Sequence, residues 1–288
     1  MIPGPFAYHR PKSLDEAVAL FAAHPEDGRA LAGGHSLIPM MKLRLATPEH
    51  LIDLGGIVTL KGIRREGEAW VIGATTTQAE LIGHDALAAG LPIIGETARQ
   101  IADPQIRYCG TLGGNVANGD PGNDMPALMM CLDATYHLAS ATGERRVKAR
   151  EFYHGAYVTA LAAGEILTAI HIPAAPPGHG HAYEKLKRKI GDYATAAAAV
   201  MLTLKDGRIA TCAIGLTNLA PTPLLAEAAA AMLIGEKPDQ GAFAAAARAV
   251  EAIVTPTADG RGPVEYRTKM AGVVTRRALA RAATRAGA

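Results

Sequence analysis

Apolar positions return along this chain in two rhythms, and the switching between them lays out the elements. Over residues 14–22 the spacing is helical, behind Ser13-Leu14-Asp15-Glu16, where Ser13 reads as an N-cap and Glu16 as the return partner of a capping box. Arg29-Ala30-Leu31-Ala32 reads as a short buried strand that stops at Gly33-Gly34, and residues 37–45, apolar with Lys42 and Arg44 interleaved, read as a helix. Strands are predicted at 50–54 and, after the turn Glu66-Gly67, at 70–74; helical spacing then resumes over 77–87 and 92–101. Residues 166–172 alternate as a strand and end at Pro173-Ala174-Ala175-Pro176-Pro177-Gly178, the sharpest break in the chain.

Beyond that break, residues 183–190, 195–204 and 208–216 read as three strands, the last two joined through the hairpin signal Asp206-Gly207. The run Ala196–Ala199 stands against this assignment, because alanine prefers helix by intrinsic propensity. Helical spacing then covers 224–233, 243–254 and 266–285, and no segment repeats another. Strands mixed with helices argue for an α/β or α+β protein rather than a bundle. The division is a glycine-rich front domain, 1–177, and a smaller C-terminal domain, 178–288, of antiparallel sheet plus helices.

A length of 288 residues fits two such domains. Hydrophobic residues make up 49% but aromatics only 5%, so the interior must be aliphatic and rich in small side chains. The net charge of +2 gives no electrostatic case for nucleic acid. From Arg261 onward, however, seven basic residues face Glu265 alone, which leaves the rest of the chain net negative. That cationic helix is expected to be a solvated face or to dock an acidic partner surface. The three cysteines, Cys109, Cys131 and Cys212, are scattered and contain no C-x-x-C, so zinc knuckles and an iron–sulfur cluster held by this chain alone are excluded. Scattered thiols, no signal-peptide pattern at the start and no apolar run of membrane-spanning length point to the cytoplasm.

Chemistry concentrates in two glycine pairs set among small polar residues. Ala32-Gly33-Gly34-His35-Ser36 follows a strand; Thr111-Leu112-Gly113-Gly114-Asn115 leads into Asn118-Gly119-Asp120-Pro121. Paired glycines permit positive φ and remove Cβ, so successive N–H groups can converge on an anion, with Ser36, Thr111 and Asn115 as side-chain donors. By residue type alone, an ordinary turn is the better reading of either pair. Neither matches G-x-G-x-x-G, a Walker loop or a G-x-S-x-G elbow, so Rossmann, P-loop and serine hydrolase chemistries lack their fingerprints. Gly178-His179-Gly180-His181 offers two histidines without a third ligand and reads as loop, and Cys109 has only Arg107 as a basic neighbour. No paired carboxylates and no nucleophile–base set for acid/base catalysis stand out.

Ala-Gly-Gly-His-Ser-Leu-Ile-Pro at 32–39 and Thr-Leu-Gly-Gly-Asn-Val-Ala-Asn-Gly-Asp-Pro at 111–121 resemble the two FAD loops in the flavoprotein subunits of molybdenum hydroxylases, the xanthine dehydrogenase family. Asp124, Glu165-Ile166-Leu167 and Tyr183-Glu184-Lys185-Leu186 fall in that family's order, and the resemblance runs the whole length of the chain. Within the family, His35 and residues 187–196 are most similar to medium chains of aerobic carbon monoxide dehydrogenases.

The resemblance implies an α+β fold: a vanillyl-alcohol-oxidase/PCMH-type FAD-binding domain of two α/β subdomains (roughly 1–54 and 55–177), then a C-terminal flavoprotein domain of three-stranded antiparallel sheet plus helix bundle. It implies noncovalent FAD with its diphosphate on main-chain donors of Ala32, Gly33, Gly34, His35 and Ser36 and of Thr111, Gly113, Gly114 and Asn115. Asp124 would take the ribityl or nucleotide side, Leu167 and Lys185 would complete the pocket, and Ile101 and Tyr193 would lie at the flavin. Molybdenum–molybdopterin cytosine dinucleotide on a large subunit and two [2Fe-2S] clusters on a small one would complete a dimer of heterotrimers, with this chain passing electrons through FAD to a quinone. Peripheral association with the inner membrane is compatible with that picture. The same role for a purine, aldehyde or N-heterocycle hydroxylase, or a self-sufficient flavin oxidase, are the alternatives.

Overall fold

The computed structural model describes residues 2–288 and builds three larger sheets and one two-stranded ribbon. In chain order the first elements are β1 (Ala7–His9), α1 (Leu14–Ala23), β2 (Gly28–Leu31), α2 (Leu37–Lys42) and β3 (His50–Asp53). They form a small parallel sheet, β1-β3-β2, in which His50 lies opposite both Ala7 and Gly28. Ser13 caps α1 by accepting from Glu16 N–H, and Glu16 returns to Lys12 N–H instead of to Ser13. Phe21 and Ala17 of α1 pack with Ile52, Leu54, Ile57 and Ile166 in a core of their own.

Next come β4 (Ile63–Glu66), β5 (Ala69–Gly73), α3 (Gln78–Gly83), α4 (Asp85–Gly90), α5 (Pro92–Ala98), α6 (Pro104–Cys109), α7 (Leu112–Ala117) and α8 (Asp124–Cys131). They are followed by β6 (Thr135–Ser140), β7 (Gly143–Lys148), β8 (Tyr153–Gly155), β9 (Val158–Thr159) and β10 (Ile166–Ile172). Antiparallel pairing orders the second sheet β4-β5-β10-β6-β7. The helix expected over 77–87 is two helices: His84 leaves helical geometry, and its Nδ1 accepts from Leu87 N–H to start α4. Sequence reading passed over β6 and β7. The latter, Gly-Glu-Arg-Arg-Val-Lys, is an exposed edge strand whose conformation comes from its partner rather than from alternation.

The C-terminal part contains β11 (Gly180–Leu186), β12 (Ala196–Lys205), β13 (Arg208–Thr217), β14 (Leu224–Leu225), α9 (Glu227–Ala231), α10 (Gln240–Ile253) and α11 (Val264–Arg285). Its sheet has four strands instead of the expected three, because residues 224–225, read as the start of a helix, pair with β13. The first of its strands ends at Leu186, short of residue 190, where the chain turns through Gly191. Ala196–Ala199 is indeed strand. Ala197, Ala199 and Met201 enter the core shared with the front domain, while Ala196, Ala198 and Val200 enter the core beneath α10 and α11. A sheet covered on both faces has no polar face, and small side chains let helices approach closely on either side. Gly180 marks the tightest approach: a Cβ there would lie 1.8 Å from the carbonyl oxygen of Ala282 in α11.

The cationic C-terminal helix is divided: Lys269, Arg276 and Arg277 stay on an exposed face, while Arg267, Arg281 and Arg285 turn inward to partners in the same chain. Arg267, 1% exposed, donates to the carbonyls of Thr195, Thr257 and Asn218. Arg285 and Arg281 reach Glu96 of α5 at 2.7 and 3.1 Å, and Arg281 also pairs with Glu184. The acids that Arg281 and Arg285 meet belong to their own chain.

Candidate functional site

A single cleft of about 640 Å³ runs between the small parallel sheet, the starts of α7 and α8, and the loop after β11. That size lies within the range of small-molecule and cofactor sites, about 300–1,000 Å³. All fourteen residues singled out from the sequence line it: Ala32, Gly33, Gly34, His35, Ser36, Ile101, Thr111, Gly113, Gly114, Asn115, Asp124, Leu167, Lys185 and Tyr193.

The two glycine pairs work differently from one another. Residues 32–36 leave β2 and enter α2. Gly34 turns at φ +74°, and Ser36 stands at the N-cap without closing a side-chain cap. The N–H groups of Gly33, Gly34, His35, Ser36 and Leu37 have no acceptor within the described residues. Five free donors at a strand-to-helix turn form a nest for an anion.

The second pair is different. Gly113 and Gly114 sit inside α7, with no positive φ. Leu112 N–H is bonded to Thr76 O, Gly113 N–H to Ala74 O, Gly114 N–H to Thr111 Oγ1 and Asn115 N–H to Thr111 O. Of the donors expected from this segment, Gly113, Gly114 and Asn115 thus have their N–H groups engaged within the chain, and Thr111 N–H has no acceptor among the described residues. The side chain of Asn115 is also engaged, its Oδ1 accepting from Met125 N–H while its carbonyl accepts from Asn123 Nδ2. Glycine is required here for backbone approach: a Cβ on Gly113 would lie 2.6 Å from Ala74 O, and one on Gly33 would lie 2.3 Å from Cys109 O. The second segment is thus a strut that seams α7 to α8 and seats the first loop.

At the foot of α8 lies a buried polar triad. Asp124, 4% exposed, accepts from Tyr183 Oη at 2.5 Å and from Lys185 Nζ at 2.8 Å; Lys185 also donates to Gln100 O. Asn123, not Asp124, holds the N-cap position, so capping does not account for the aspartate. Nor is Lys185 a solvated strand residue, its side chain being 1% exposed. Burial and the Asp124 carboxylate push the Tyr183 phenol well above its ordinary range, so it stays protonated and donates. Tyr183 is the residue that sequence reasoning left unassigned; its place two residues before Lys185 on one strand face was the available signal.

Ile101 and Leu167 supply apolar lining, the latter 5% exposed. The Ile101-Ala102 bend, with Ala102 at φ +43°, is pinned by Arg107, which donates to both carbonyls. Tyr193 stands at the rim, its ring against Gly122 and the Arg261 guanidinium 5.6 Å from its centroid. The lining also holds polar atoms without partners: both amide atoms of Gln78, itself 2% exposed, and Nδ2 of Asn118. Desolvated amides without partners are costly, and a polar ligand in the cleft removes that cost. The carboxylates on the cleft are already engaged. Asp124 pairs with Lys185, Asp192 with Arg188, and Glu165 with Arg145, which holds the Glu165 carboxyl below its ordinary range.

Two family descriptions match consecutive parts of the chain: an FAD-binding domain in molybdopterin dehydrogenase over residues 4–175, and a CO dehydrogenase flavoprotein C-terminal domain over residues 181–282. The chain is 65% identical to the carbon monoxide dehydrogenase medium chain of Afipia carboxidovorans, covering 99% of both. It is 48% identical to that of Hydrogenophaga pseudoflava, covering 97% of both. Reconstituted CO dehydrogenase from Oligotropha carboxidovorans contains a chain of matching structure, with TM-score 0.98 and 64% identity over 99% of this chain and 100% of that one.

Proposed function

Because the chain belongs to the molybdopterin dehydrogenase family, joining its FAD-binding domain to the CO dehydrogenase flavoprotein C-terminal domain, we propose that it is the FAD-carrying medium subunit of a carbon monoxide dehydrogenase. The observation that carries this reading is the meeting, in one cleft, of the free amides of residues 33–37, the unpartnered amides of Gln78 and Asn118, and the Asp124-Lys185 pair that Tyr183 backs.

These residues fit a dinucleotide with an apolar ring system. Gly33 to Leu37 bind the diphosphate through main-chain N–H groups, without a lysine. Asp124, fixed by Tyr183 and Lys185, holds the polar ribityl or nucleotide portion. Gln78 and Asn118 complete polar contacts, Ile101 and Leu167 keep water from the ring, and Tyr193 covers it from the rim. FAD, when bound, supplies the exchange between one-electron carriers and a two-electron acceptor. Every carboxylate named above is ion-paired, so none of them stands free as a general base, which suits a conduit rather than a substrate-activating site.

On this reading carbon monoxide is oxidised at molybdenum on a large subunit. Electrons come from the [2Fe-2S] clusters of a small subunit and leave to an acceptor of the quinone class, in a dimer of heterotrimers. Purified chain alone should give no carbon monoxide-dependent dye reduction and should give it once combined with both partners. Turnover by the lone chain would contradict the assignment. Denaturing the complex in acid should release all of its flavin, since the attachment is noncovalent.

A further inference from the structure

Away from the cleft, the fold brings together three imidazoles that are distant in sequence: His9 on β1, His24 at the C-cap of α1 and His50 on β3. One ring nitrogen of each lies within 4.8 Å of those of the other two. His9 Nε2 and His50 Nδ1 are 2.8 Å apart, and the rings of His24 and His50 stack with centroids separated by 3.4 Å. Asp27 lies beside the pair, its Oδ1 3.9 Å from His24 Nδ1 and its Oδ2 3.9 Å from His50 Nε2.

The backbone fixes this group. Parallel register sets His9 opposite Ile52, two residues beyond His50, so both histidines stand on one face of the sheet. Gly28 N–H closes the 24–28 turn on His24 O at 3.0 Å, and Asp27 O accepts from Glu49 and His50 N–H. All four side chains are half-buried, and none lines the FAD cleft.

We propose that His9, His24 and His50 bind a divalent transition-metal cation of the zinc class, with Asp27 on the far ring nitrogen of His50 as the carboxylate that orients it. A shared proton satisfies the His9–His50 contact but leaves the third ring and the carboxylate without a common partner. A borderline cation accepts a lone pair from each imidazole and completes a tetrahedral shell with water, while the Asp27 carboxylate offsets its charge from outside that shell. Two stacked parallel rings cannot both point in-plane lone pairs at one ion about 2.0–2.1 Å away. His24 therefore turns out of the stack about its χ2, a soft torsion in a residue just past its helix. The ion ties β1, β3 and the 24–28 turn together. Pro25 and Gly28 of that turn line the cleft, so the site braces the cleft's outer wall without touching its contents.

The test is titration of the tag-free, chelator-stripped protein, in its complex, with cobalt(II), followed by displacement with zinc. One equivalent should produce the visible ligand-field bands of tetrahedral cobalt, and zinc should abolish them. His24→Ala should weaken binding more than about tenfold, and Asp27→Asn about 10–100-fold, with flavin content unchanged in both. His24 is at a helix end, so its variant also serves if His50→Ala fails to fold. Absence of the bands, substoichiometric uptake, or full binding by His24→Ala would overturn the proposal.

Discussion

At Gly33 a single added methyl group would lie 2.3 Å from Cys109 O and 2.7 Å from Gly110 Cα, both backbone atoms that cannot swing aside. Gly33→Ala should therefore open the seam between the loops, costing about 1–3 kcal/mol as overpacking does. Flavin content of the purified complex should fall with it. Gly83→Ala, with nothing within 4 Å of the added carbon, should leave both flavin content and melting temperature unchanged or slightly raised. The triad makes a second residue-scale prediction. Asp124→Asn strands the Lys185 ammonium at 1% exposure, and breaking a buried pair costs about 3–5 kcal/mol. The double variant Asp124→Asn/Lys185→Met should recover part of that loss in urea unfolding; full additivity of the two single changes would contradict the pairing. Residue types announced the glycines and Asp124, but not their partners. Tyr183 is 59 positions from Asp124, and His9 is 41 from His50; such separations are closed only by tertiary structure, a helix start packed on a strand for the first and sheet register for the second.

Elements were legible where their own side chains set them. The capped α1, the strand before Gly33-Gly34 and the hairpin at Asp206-Gly207 follow from local chemistry and appear as expected. They were illegible where a neighbour decides. β7 is a charged edge, β14 is two residues recruited by β13, and α7 hides the second glycine pair inside a six-residue helix whose amides are already bonded. Ala196–Ala199 shows tertiary context overriding propensity, since only a thin strand fits between two helical layers. The same thinness makes Gly180 irreplaceable. Gly180→Ala should lift α11 from β11 and lower the melting temperature by several degrees, at about 2–4 °C per kcal/mol for a chain of this class. An unchanged melting temperature would mean that the contact between helix and strand is looser than 1.8 Å implies.

Across the whole molecule, the front and C-terminal parts are bound by one shared core and by an ionic clasp around Glu96. Arg281, Arg285 and the backbone N–H of Tyr183 converge on its carboxylate, and His181 stands 3.8 Å away. Burial, with the Arg285 charge beside it, lowers His181 from its ordinary 6.5 to about 4. Folded His181 is therefore neutral where the unfolded residue would take up a proton. Its contribution to stability is intact above pH 6.5 and is lost as pH falls toward 4. The melting temperature should fall over that interval more steeply in the wild type than in His181→Phe; parallel curves would remove the histidine from the account. The clasp also explains why the sequence suggested a cationic surface: Glu96 lies 185 residues before Arg281 and 189 before Arg285.

On the proposed function, the amides of residues 33–37, and not those of 112–115, carry the diphosphate. Amide hydrogen exchange compares the two segments in the assembled complex with and without FAD. Slowed exchange over 33–37 on adding FAD, with 112–115 protected alike in both states, is the predicted result. Protection gained at 112–115 and none at 33–37 would contradict it.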